Sequence, residues 1–498
     1  MPRRLALAAV LSVVAAAPAA AARPQTIPAL REWRAAPGSF VLRDSARIVV
    51  PAGGPVAEAR LLAADLRRRL PVVSGVRAMP GDIEVALGAS DRRLGGEGYR
   101  LEAGPVLRVR ARTAAGAFYG TRTVVQLLSR RNAVPAGTAR DWPRYPERGL
   151  MLDNGRRYFG PSWLRGRIRE LAALKLNQLH LHFSDDQGFR VASGSHPEIV
   201  SKAHLSKRQV RGLVAYARAR HIRVIPEIDM PGHMRAALAR HPNLQLADES
   251  GVRGPSRLDV TKPAARRFAR ELILEYLDLF PGRYWHGGAD EYLNQADYAR
   301  HPRLERWARA RYGPRANGAD AYIAFINWMD RLVRSRGRTL RVWNDGLAGG
   351  RAVRLRRDVV VDWWAAHAGP GPRTLVRQGH RILNGGWWPT YYVVSPLGAV
   401  RPSMRTAYES WAVNRFHGVS LGLEPADAAV VLPRGSRLNL GSELHVWNDD
   451  PDGESDARTA RGIAPRLRVL AQKTWDSPPV ARRYAGFQRI ARAIRLRP

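Results

Sequence analysis

The 498-residue chain is 45% hydrophobic and carries 81 Lys and Arg residues against 43 Asp and Glu residues, a net charge of +38. This length and hydrophobic content exclude a largely disordered protein and fit a large barrel with a smaller domain. The cations are spread along the whole chain, whereas a nucleic-acid-binding protein concentrates them on one face or tail. We therefore expect no nucleic-acid partner; a generally basic surface, or attraction to an anionic cell envelope, explains the charge better. The chain has no cysteine, which excludes disulfides, a cysteine nucleophile and thiolate metal sites.

The first residues have the pattern of a secretory signal peptide. Arg3 and Arg4 precede an apolar run over residues 5–17, and alanines follow at 20–22. The run is too short to span a bilayer comfortably, and small residues suit a cleavage site. We predict that residues 1–22 are a signal peptide cleaved near Ala22 and that the mature protein is secreted. No later stretch is apolar enough for a membrane span.

Residues 23–143 are predicted to form a small α/β accessory domain, because short strand-like runs alternate with helical spacing of apolar residues. The predicted elements are strands at 47–50, 83–87 and 106–110 and helices at 57–70 and 113–128. Pro143 and Pro146 then lie close together, as is typical of a domain boundary.

Residues 144–498 repeat a pattern of strand, loop and helix, which predicts a (β/α)8 TIM barrel as the catalytic domain. The predicted strands are 150–153, 178–183, 222–228, 284–287, 340–343, 359–363, 382–384 and 440–446. A doubly wound open sheet is the alternative, but no glycine-rich phosphate turn follows the first strand.

Functional side chains in such a barrel lie where the strands end, at its C-terminal face. Carboxylates dominate the ends of the earlier predicted strands, as at Asp153, Asp185-Asp186 and Asp290-Glu291, and Trp and Tyr dominate the later ones. The apolar face of a sugar stacks on aromatic rings, while its hydroxyls need charged or amide partners. Because glycosidic cleavage needs a carboxylic acid to protonate the leaving oxygen, Asp290 and Glu291 are the candidate catalytic residues.

The adjacency of the two acids bears on mechanism. In a two-carboxylate retaining enzyme, acid and nucleophile flank the bond from opposite sides, about 5–5.5 Å apart. Neighbouring residues can instead divide the work on one side of the sugar. One would protonate the leaving group, and the other would hold a reacting group that the substrate supplies.

Six blocks of this sequence resemble glycoside hydrolase family 20, the β-N-acetylhexosaminidases. They are EGYRL at 97–101, AGAFYG at 115–120, RGLMLD at 148–153, LHLHFSDDQG at 179–188, PEIDMPGH at 226–233 and HGGADE at 286–291. The resemblance covers nearly the whole predicted mature chain. It implies an exo-acting, retaining enzyme that hydrolyses terminal β-linked GlcNAc or GalNAc by substrate-assisted catalysis, through an oxazoline intermediate. The implied partner is an oligosaccharide or glycoconjugate that contains an N-acetylhexosamine.

The resemblance also implies roles for single residues. Glu291 would be the general acid and later the base that activates water, and Asp290 would orient the acetamido group that attacks the anomeric carbon. His233 and one of Asp185 and Asp186 would tune the protonation of the acid. The implied sugar-binding residues are Arg156 and Asp449 at ring hydroxyls, Tyr392 at the acetamido oxygen, and Trp343, Trp364 and Trp447 as aromatic walls.

One block departs from the family pattern. Many members carry Tyr-Leu-Asp on the seventh strand, where this chain has Tyr391-Tyr392-Val393, so a carboxylate for an outer hydroxyl is missing. Neither GlcNAc nor GalNAc is therefore predicted as the preferred sugar. Two alternatives stay open: release of disaccharides, as in lacto-N-biosidase-like members, and a non-catalytic protein that binds chitin or peptidoglycan. Ala289, where glycine is commoner, is expected to leave catalysis intact.

His180 and His182 lie two apart on a predicted strand and suggest metal ligands at first sight. Barrel-interior residues held by hydrogen bonds are the simpler interpretation, since no open cluster of carboxylates and histidines accompanies them. No metal and no organic cofactor is predicted for the reaction.

Overall fold

The computed structural model describes residues 23–129, 131–395, 401–418 and 429–494. The predicted signal peptide, residues 1–22, lies outside the described residues. Within the described ranges, no helix has both the length and the apolar character that crossing a bilayer requires.

The N-terminal part folds as a seven-stranded mixed sheet with two helices. In spatial order the strands are Glu32–Val41, Ala133–Asp141, Tyr99–Ala103, Leu107–Ala111, Ile83–Leu87, Ile48–Val50 and Val72–Ser74. The helices are Val56–Leu66 and Ala114–Leu128. The first helix is shorter than the predicted 57–70, because Arg67 adopts a left-handed φ of 52° that ends it.

The second helix of this domain packs closely on the middle of the sheet. It begins after Thr113, whose side chain accepts a hydrogen bond from the backbone N–H of Gly116. Gly120 faces the sheet, and a Cβ atom there would lie 2.3 Å from Val109 Cγ1. Glycine at this position therefore allows the close approach of helix and strand.

The rest of the chain forms a closed barrel of eight parallel strands, as predicted. The strands are Glu147–Asp153, Gln178–His182, Arg223–Glu227, Tyr284–His286, Thr339–Trp343, Val360–Trp363, Ile382–Asn384 and Asn439–Asn448. The last strand pairs with both the first and the seventh, which closes the barrel. The predicted division between residues 143 and 144 falls in the connection between the N-terminal sheet and the first barrel strand.

Helices surround the barrel and complete its rims. They are Pro161–Ala173, Lys207–Arg218, Arg235–Leu238, Pro263–Leu279, Pro302–Tyr312, Gly318–Ser335, Pro372–Arg377, Trp387–Thr390, Met404–Ser410, Asp456–Trp475 and Tyr484–Ala493. Two-stranded hairpins on the loops pair Ser184–Asp185 with Gly188–Phe189, Gln245–Ala247 with Arg253–Leu258, and Arg415–Phe416 with Val430–Val431. Several of these helices begin with proline at the first turn, where its missing N–H costs nothing.

The seventh strand is broken into two pieces. Ile382–Asn384 pairs with the start of the last strand, and Tyr391–Val394 pairs with its end, from His445 onward. A glycine pair and the short helix Trp387–Thr390 separate the two pieces. The second piece, Tyr391–Val394, therefore lies beside the C-terminal rim, next to the end of the last strand.

Buried charges join the N-terminal domain to the base of the barrel. Lys175 is fully buried and donates to the Tyr99 hydroxyl at 2.7 Å and to the Asp141 carboxylate at 3.0 Å. Arg148 of the first barrel strand donates to Glu97 at 2.8 Å. Because a buried charge is costly unless it is paired, these contacts favour one docking of the two domains.

Candidate active site

A cleft of about 440 Å³ opens at the C-terminal rim of the barrel. This volume is in the range of sites that enclose a small ligand. The residues that line it are Arg156, Gln187, His233, Asp290, Glu291, Trp343, Trp364, His367, Trp387, Tyr391, Val393, Trp447 and Asp449. The cleft is thus floored by carboxylates and walled by aromatic rings.

The catalytic candidates Asp290 and Glu291 follow the fourth barrel strand on a tight loop. Gly288, Ala289 and Glu291 all have left-handed φ values, of 64°, 66° and 46°. Gly288 is required there, since a Cβ atom would lie 1.8 Å from Asp229 Oδ1. The strained backbone turns the two neighbouring acids differently: the Asp290 side chain is 14% exposed, whereas the Glu291 side chain is 61% exposed in the cleft.

His233 lies between the two acids. Its Nε2 is 3.2 Å from Glu291 Oε2 and 3.7 Å from Asp290 Oδ2, while its Nδ1 is 3.3 Å from Asp185 Oδ1. The predicted grouping of His233 with one of two aspartates is therefore present in the structure, and Asp185 is the partner. The Asp186 side chain instead accepts hydrogen bonds from the Arg235 backbone N–H and the Ser256 hydroxyl.

The charges around His233 set the protonation of the site. Burial alone would lower the pKa of His233, but Asp290, Asp185 and Glu291 around it raise this pKa well above its usual value. Burial raises the pKa of Asp290, partly opposed by the nearby His233. The hydrogen bond with His233 lowers the pKa of Glu291. A protonated His233 therefore holds Glu291 ionised while the cleft is open to water.

Two further buried carboxyl groups support the acid pair and were not assigned roles from the sequence. Asp229 accepts the Ala289 N–H at 3.1 Å. Asp345 accepts the Glu291 N–H at 3.3 Å and the Trp364 indole N–H at 2.7 Å. Burial and the proximity of Asp290 raise the pKa of both groups well above the usual value. The sequence did indicate that both residues lie at the ends of predicted strands, where functional side chains are expected.

Arg156 is joined to the same group of residues through Asp185. Its guanidinium lies 3.1 Å from Asp153, 3.0 Å from Asp185 and 4.0 Å from the half-exposed Asp449. It also stacks over the Trp447 ring, 5.1 Å from the centroid. Two of its donors are thus fixed by buried carboxylates, and the group is rigidly placed for a ligand's hydroxyls.

Five aromatic side chains enclose the cleft: Trp343, Trp364, Trp387, Tyr391 and Trp447. The Trp343 indole donates to Glu227 at 2.9 Å. Trp363 and Trp388, the chain neighbours of two of these rings, face outward and pack on Phe416 and His417. The three predicted tryptophan walls all line the cleft.

The prediction for Tyr392 was wrong. Its hydroxyl donates to Glu454 at 2.9 Å, and its ring packs against Gly462 on the outer helix Asp456–Trp475. Successive side chains of the strand Tyr391–Val394 point to opposite faces, so Tyr391 and Val393 line the cleft instead. The tyrosine available to a ligand is Tyr391.

A chain of paired charges fills the barrel beneath the cleft. The Glu227 carboxylate lies 2.9 Å from the His180 ring, 2.9 Å from the His182 ring and 3.2 Å from the His286 ring, and His180 also forms a hydrogen bond with Glu443 at 3.0 Å. The chain continues through Asp362 to Arg341, at 2.6 Å, near the barrel's base. His180 and His182 are therefore interior residues held by hydrogen bonds, as the sequence analysis interpreted them. Beneath the acids, the interior is polar rather than apolar.

Comparison with known proteins decides the family. The family model "Glycosyl hydrolase family 20, catalytic domain" matches residues 145–478, and "Glycosyl hydrolase family 20, domain 2" matches residues 23–142. The chain belongs to glycosyl hydrolase family 20. It is similar to the β-N-acetylhexosaminidase of Cellulomonas fimi, at 29% identity over 88% of this chain and 87% of that protein. It is also 32% identical to a lacto-N-biosidase of Bifidobacterium bifidum over 94% of this chain, which spans only 41% of that longer protein.

Solved structures of this glycosyl hydrolase family have the same fold. The Streptomyces plicatus N-acetyl-β-hexosaminidase in complex with Thio-NAglucal matches with a TM-score of 0.73 and 27% identity, over 95% of this chain and 94% of that one. The family 20 β-N-acetylhexosaminidase of Streptomyces coelicolor A3(2) matches with a TM-score of 0.74 and 26% identity, over 95% of both chains. Membership of this family supports glycoside hydrolase activity over the binding-only alternative.

Proposed function

We propose that this family 20 chain is an exo-acting, retaining β-N-acetylhexosaminidase that removes terminal β-linked GlcNAc or GalNAc. One observation carries the proposal. Asp290 and Glu291, adjacent in the chain, share a histidine between them, under a cleft walled by aromatic rings. This arrangement suits a sugar that supplies its own nucleophile, because both acids lie on one side of the cleft.

The proposed reaction has two steps. In the first, Glu291 gives its proton to the glycosidic oxygen while the acetamido carbonyl oxygen of the sugar attacks the anomeric carbon. The bond to the leaving group breaks, and an oxazoline forms whose nitrogen faces Asp290. In the second, Glu291 accepts a proton from water, which opens the oxazoline with overall retention.

Substrate binding is proposed to prepare the protonation state that this reaction needs. A bound sugar covers the exposed Glu291 side chain, and loss of water raises its pKa. The acetamido N–H donates to Asp290, and this hydrogen bond favours the ionised form of that buried carboxyl group. A filled cleft thus favours the ionised form of Asp290 and the protonated form of Glu291, and the protonated His233 lies beside both groups.

The aromatic walls are proposed to select the acetamido sugar. Trp343, Trp364 and Trp447 surround the space beside Asp290 and fit a methyl group and an apolar sugar face. The Tyr391 hydroxyl is proposed to donate to the acetamido oxygen, the role that the sequence analysis gave to Tyr392. Such a donor strengthens its bond as positive charge spreads over the oxazoline ring and orients the nucleophile.

The test is hydrolysis of the nitrophenyl β-N-acetylglucosaminide and β-N-acetylgalactosaminide, with the β-glucoside as a control for the acetamido group. We expect activity on the acetamido sugars alone and its loss in Glu291→Gln. Glu249→Gln is a matched control, because Glu249 also follows an aspartate but lies exposed far along the chain from the acid loop. Equal hydrolysis of the β-glucoside, or full activity of Glu291→Gln, would refute the proposal.

A second candidate, release of disaccharides, is favoured by one specific observation. Val393 lines the cleft where many family members carry a carboxylate, so no acid from this strand grips an outer hydroxyl. The similar Bifidobacterium protein is a lacto-N-biosidase. A nitrophenyl lacto-N-bioside distinguishes the two: release of intact disaccharide, with inactivity on the monosaccharide substrates, supports this second candidate.

We also propose that the protein is exported and retained on an anionic cell envelope through its net charge of +38. N-terminal sequencing of the mature protein tests the cleavage near Ala22. Washing cells with about 1 M salt, which shortens the screening length to about 3 Å, tests retention. Recovery in the cytoplasm, or no release by salt from the cells, would contradict this proposal.

A further inference from the structure

A cluster of metal-binding side chains lies on the barrel rim, apart from the cleft. Glu198 Oε1 is 3.0 Å from His196 Nδ1 and 2.8 Å from His241 Nε2. The ligand atoms of the three residues all lie within 4.8 Å of one another. None of the three lines the catalytic cleft. The proposed hydrolysis assigns no role to these two imidazoles and this carboxylate.

We propose that His196, Glu198 and His241 bind Zn²⁺, with water as the fourth ligand. Zinc accepts this donor set at bond lengths of about 2.0–2.2 Å, which places neighbouring tetrahedral ligands about 3.3 Å apart. The observed separations from Glu198 need to open by only a few tenths of an ångström to admit the ion. The half-exposed Glu198 side chain provides the room and a path of entry.

The surroundings hold these ligands in place. His196 Nε2 is 3.0 Å from Glu271 Oε2, so the ring nitrogen opposite the proposed metal is bonded to a carboxylate. Carboxylates of this kind fix the tautomer and orientation of metal-binding histidines. Both imidazoles also pack on the Phe268 ring, with centroids 4.5 and 4.9 Å away.

The loop that carries His196 is itself fixed. Glu275 accepts hydrogen bonds from the Ser193 hydroxyl at 2.8 Å and from the backbone N–H groups of Gly194 and Ser195 at 2.6 and 3.1 Å. The His196 N–H donates to the Ser193 hydroxyl at 2.9 Å. His241 comes from the next loop of the rim, after the third barrel strand. The ion would therefore cross-link two rim loops that are far apart in sequence, and it is distinct from the hydrolytic reaction, for which no metal is predicted.

The test uses the full chain after removal of metal by a chelator. We expect calorimetric titration with Zn²⁺ to show one binding site on the unaltered chain, and Co²⁺ to give the intense visible absorption of a four-coordinate ion. Glu271→Gln should weaken zinc binding by about 10–100-fold, as loss of an outer carboxylate does. His241→Gln, which removes a ligand, should weaken it further.

His204→Gln is the matched control, since His204 lies on the same loop and, among the described residues, its ring bonds to the backbone carbonyls of Ser201 and Lys202. Circular dichroism without metal checks that each variant is folded. If His241→Gln does not fold, Glu271→Gln and the Co²⁺ spectrum of the unaltered chain decide. Absence of zinc binding, equal binding by His241→Gln, or an equal loss in His204→Gln would overturn the proposal.

Discussion

Tyr391 and Tyr392 are adjacent, yet removing their hydroxyl groups should have opposite effects. Tyr391 lines the cleft, whereas Tyr392 bonds to Glu454 on the outer side of the barrel. We expect Tyr391→Phe to impair turnover without changing the fold. Tyr392→Phe should leave turnover intact and reduce the free energy of unfolding.

The magnitudes follow from the two environments. Tyr391 is almost fully buried, so its hydroxyl would meet the acetamido oxygen with little competing water. A hydrogen bond to a group that becomes charged contributes about 1.5–3 kcal/mol, which is about 10–150-fold in kcat. Glu454 keeps contacts with Arg401 and Thr459 when Tyr392 loses its hydroxyl. That substitution should therefore cost about 1 kcal/mol of stability and change kcat by less than about twofold.

The assay is steady-state hydrolysis of the nitrophenyl acetamido sugar by both variants, with thermal unfolding measured alongside. The disaccharide substrate is used in the same way if only that one is cleaved. A loss of turnover in Tyr392→Phe with Tyr391→Phe unaffected would refute this reasoning. It would show that Tyr392, and not Tyr391, points from the strand Tyr391–Val394 into the cleft.

Other substitutions and conditions test the remaining parts of the site. Arg156→Lys keeps the charge but loses the fork that contacts two carboxylates, so kcat/KM should fall about 10–150-fold, and the fall should shrink for a substrate deoxygenated at the hydroxyl that Arg156 binds. Gly288→Ala puts a methyl group onto Asp229 and should destabilise the fold by more than about 2 kcal/mol, measured by urea unfolding. His286 has its pKa raised to about 9 by Glu227 and Asp362 despite burial, which by itself lowers it. Its contribution of about 3 kcal/mol is complete below the unfolded pKa of 6.5 and is lost as pH rises through 9, so the melting temperature should fall across that interval. Because Glu291 gains a proton as Asp290 loses one, binding of GlcNAc-thiazoline at neutral pH should show little net proton uptake by calorimetry in two buffers, and Glu291→Gln should turn this into net proton release.

The fold and most of the cleft could be predicted from the sequence because parallel barrels place function at strand ends. Each of the eight barrel strands was predicted at its observed place, and Asp290, Glu291, His233 and Arg156 do converge. That convergence follows from topology alone, since all eight strands end at one rim. Their catalytic roles stay predictions until the variants are measured.

Which side chains of the seventh strand face the cleft after its interruption could not be predicted. The seventh strand stops at Asn384 and resumes at Tyr391, and the helix Trp387–Thr390 between them resets which face each residue takes. Alternation along a strand fixes parity only while the strand continues. The exchange of Tyr392 for Tyr391 has this physical cause.

The supporting roles of Asp229 and Asp345 were equally hidden. Each has a raised pKa because it is buried beside Asp290, and both conditions arise only when loops distant in sequence meet. Asp185 and Asp186 pose the same problem, since only the rim's three-dimensional arrangement shows which one reaches His233.

The paired charges inside the barrel have a consequence for how this scaffold can change. From Arg341 through Asp362, His286 and Glu227, every group depends on its neighbour's charge. Removal of one member leaves an unpaired ion in a dry interior, at a cost of about 3–5 kcal/mol. Libraries that randomise single interior positions should therefore yield few folded clones, whereas substitutions made in matched pairs keep the balance. New specificities on this barrel are more readily selected on rim positions that lie outside the paired charges.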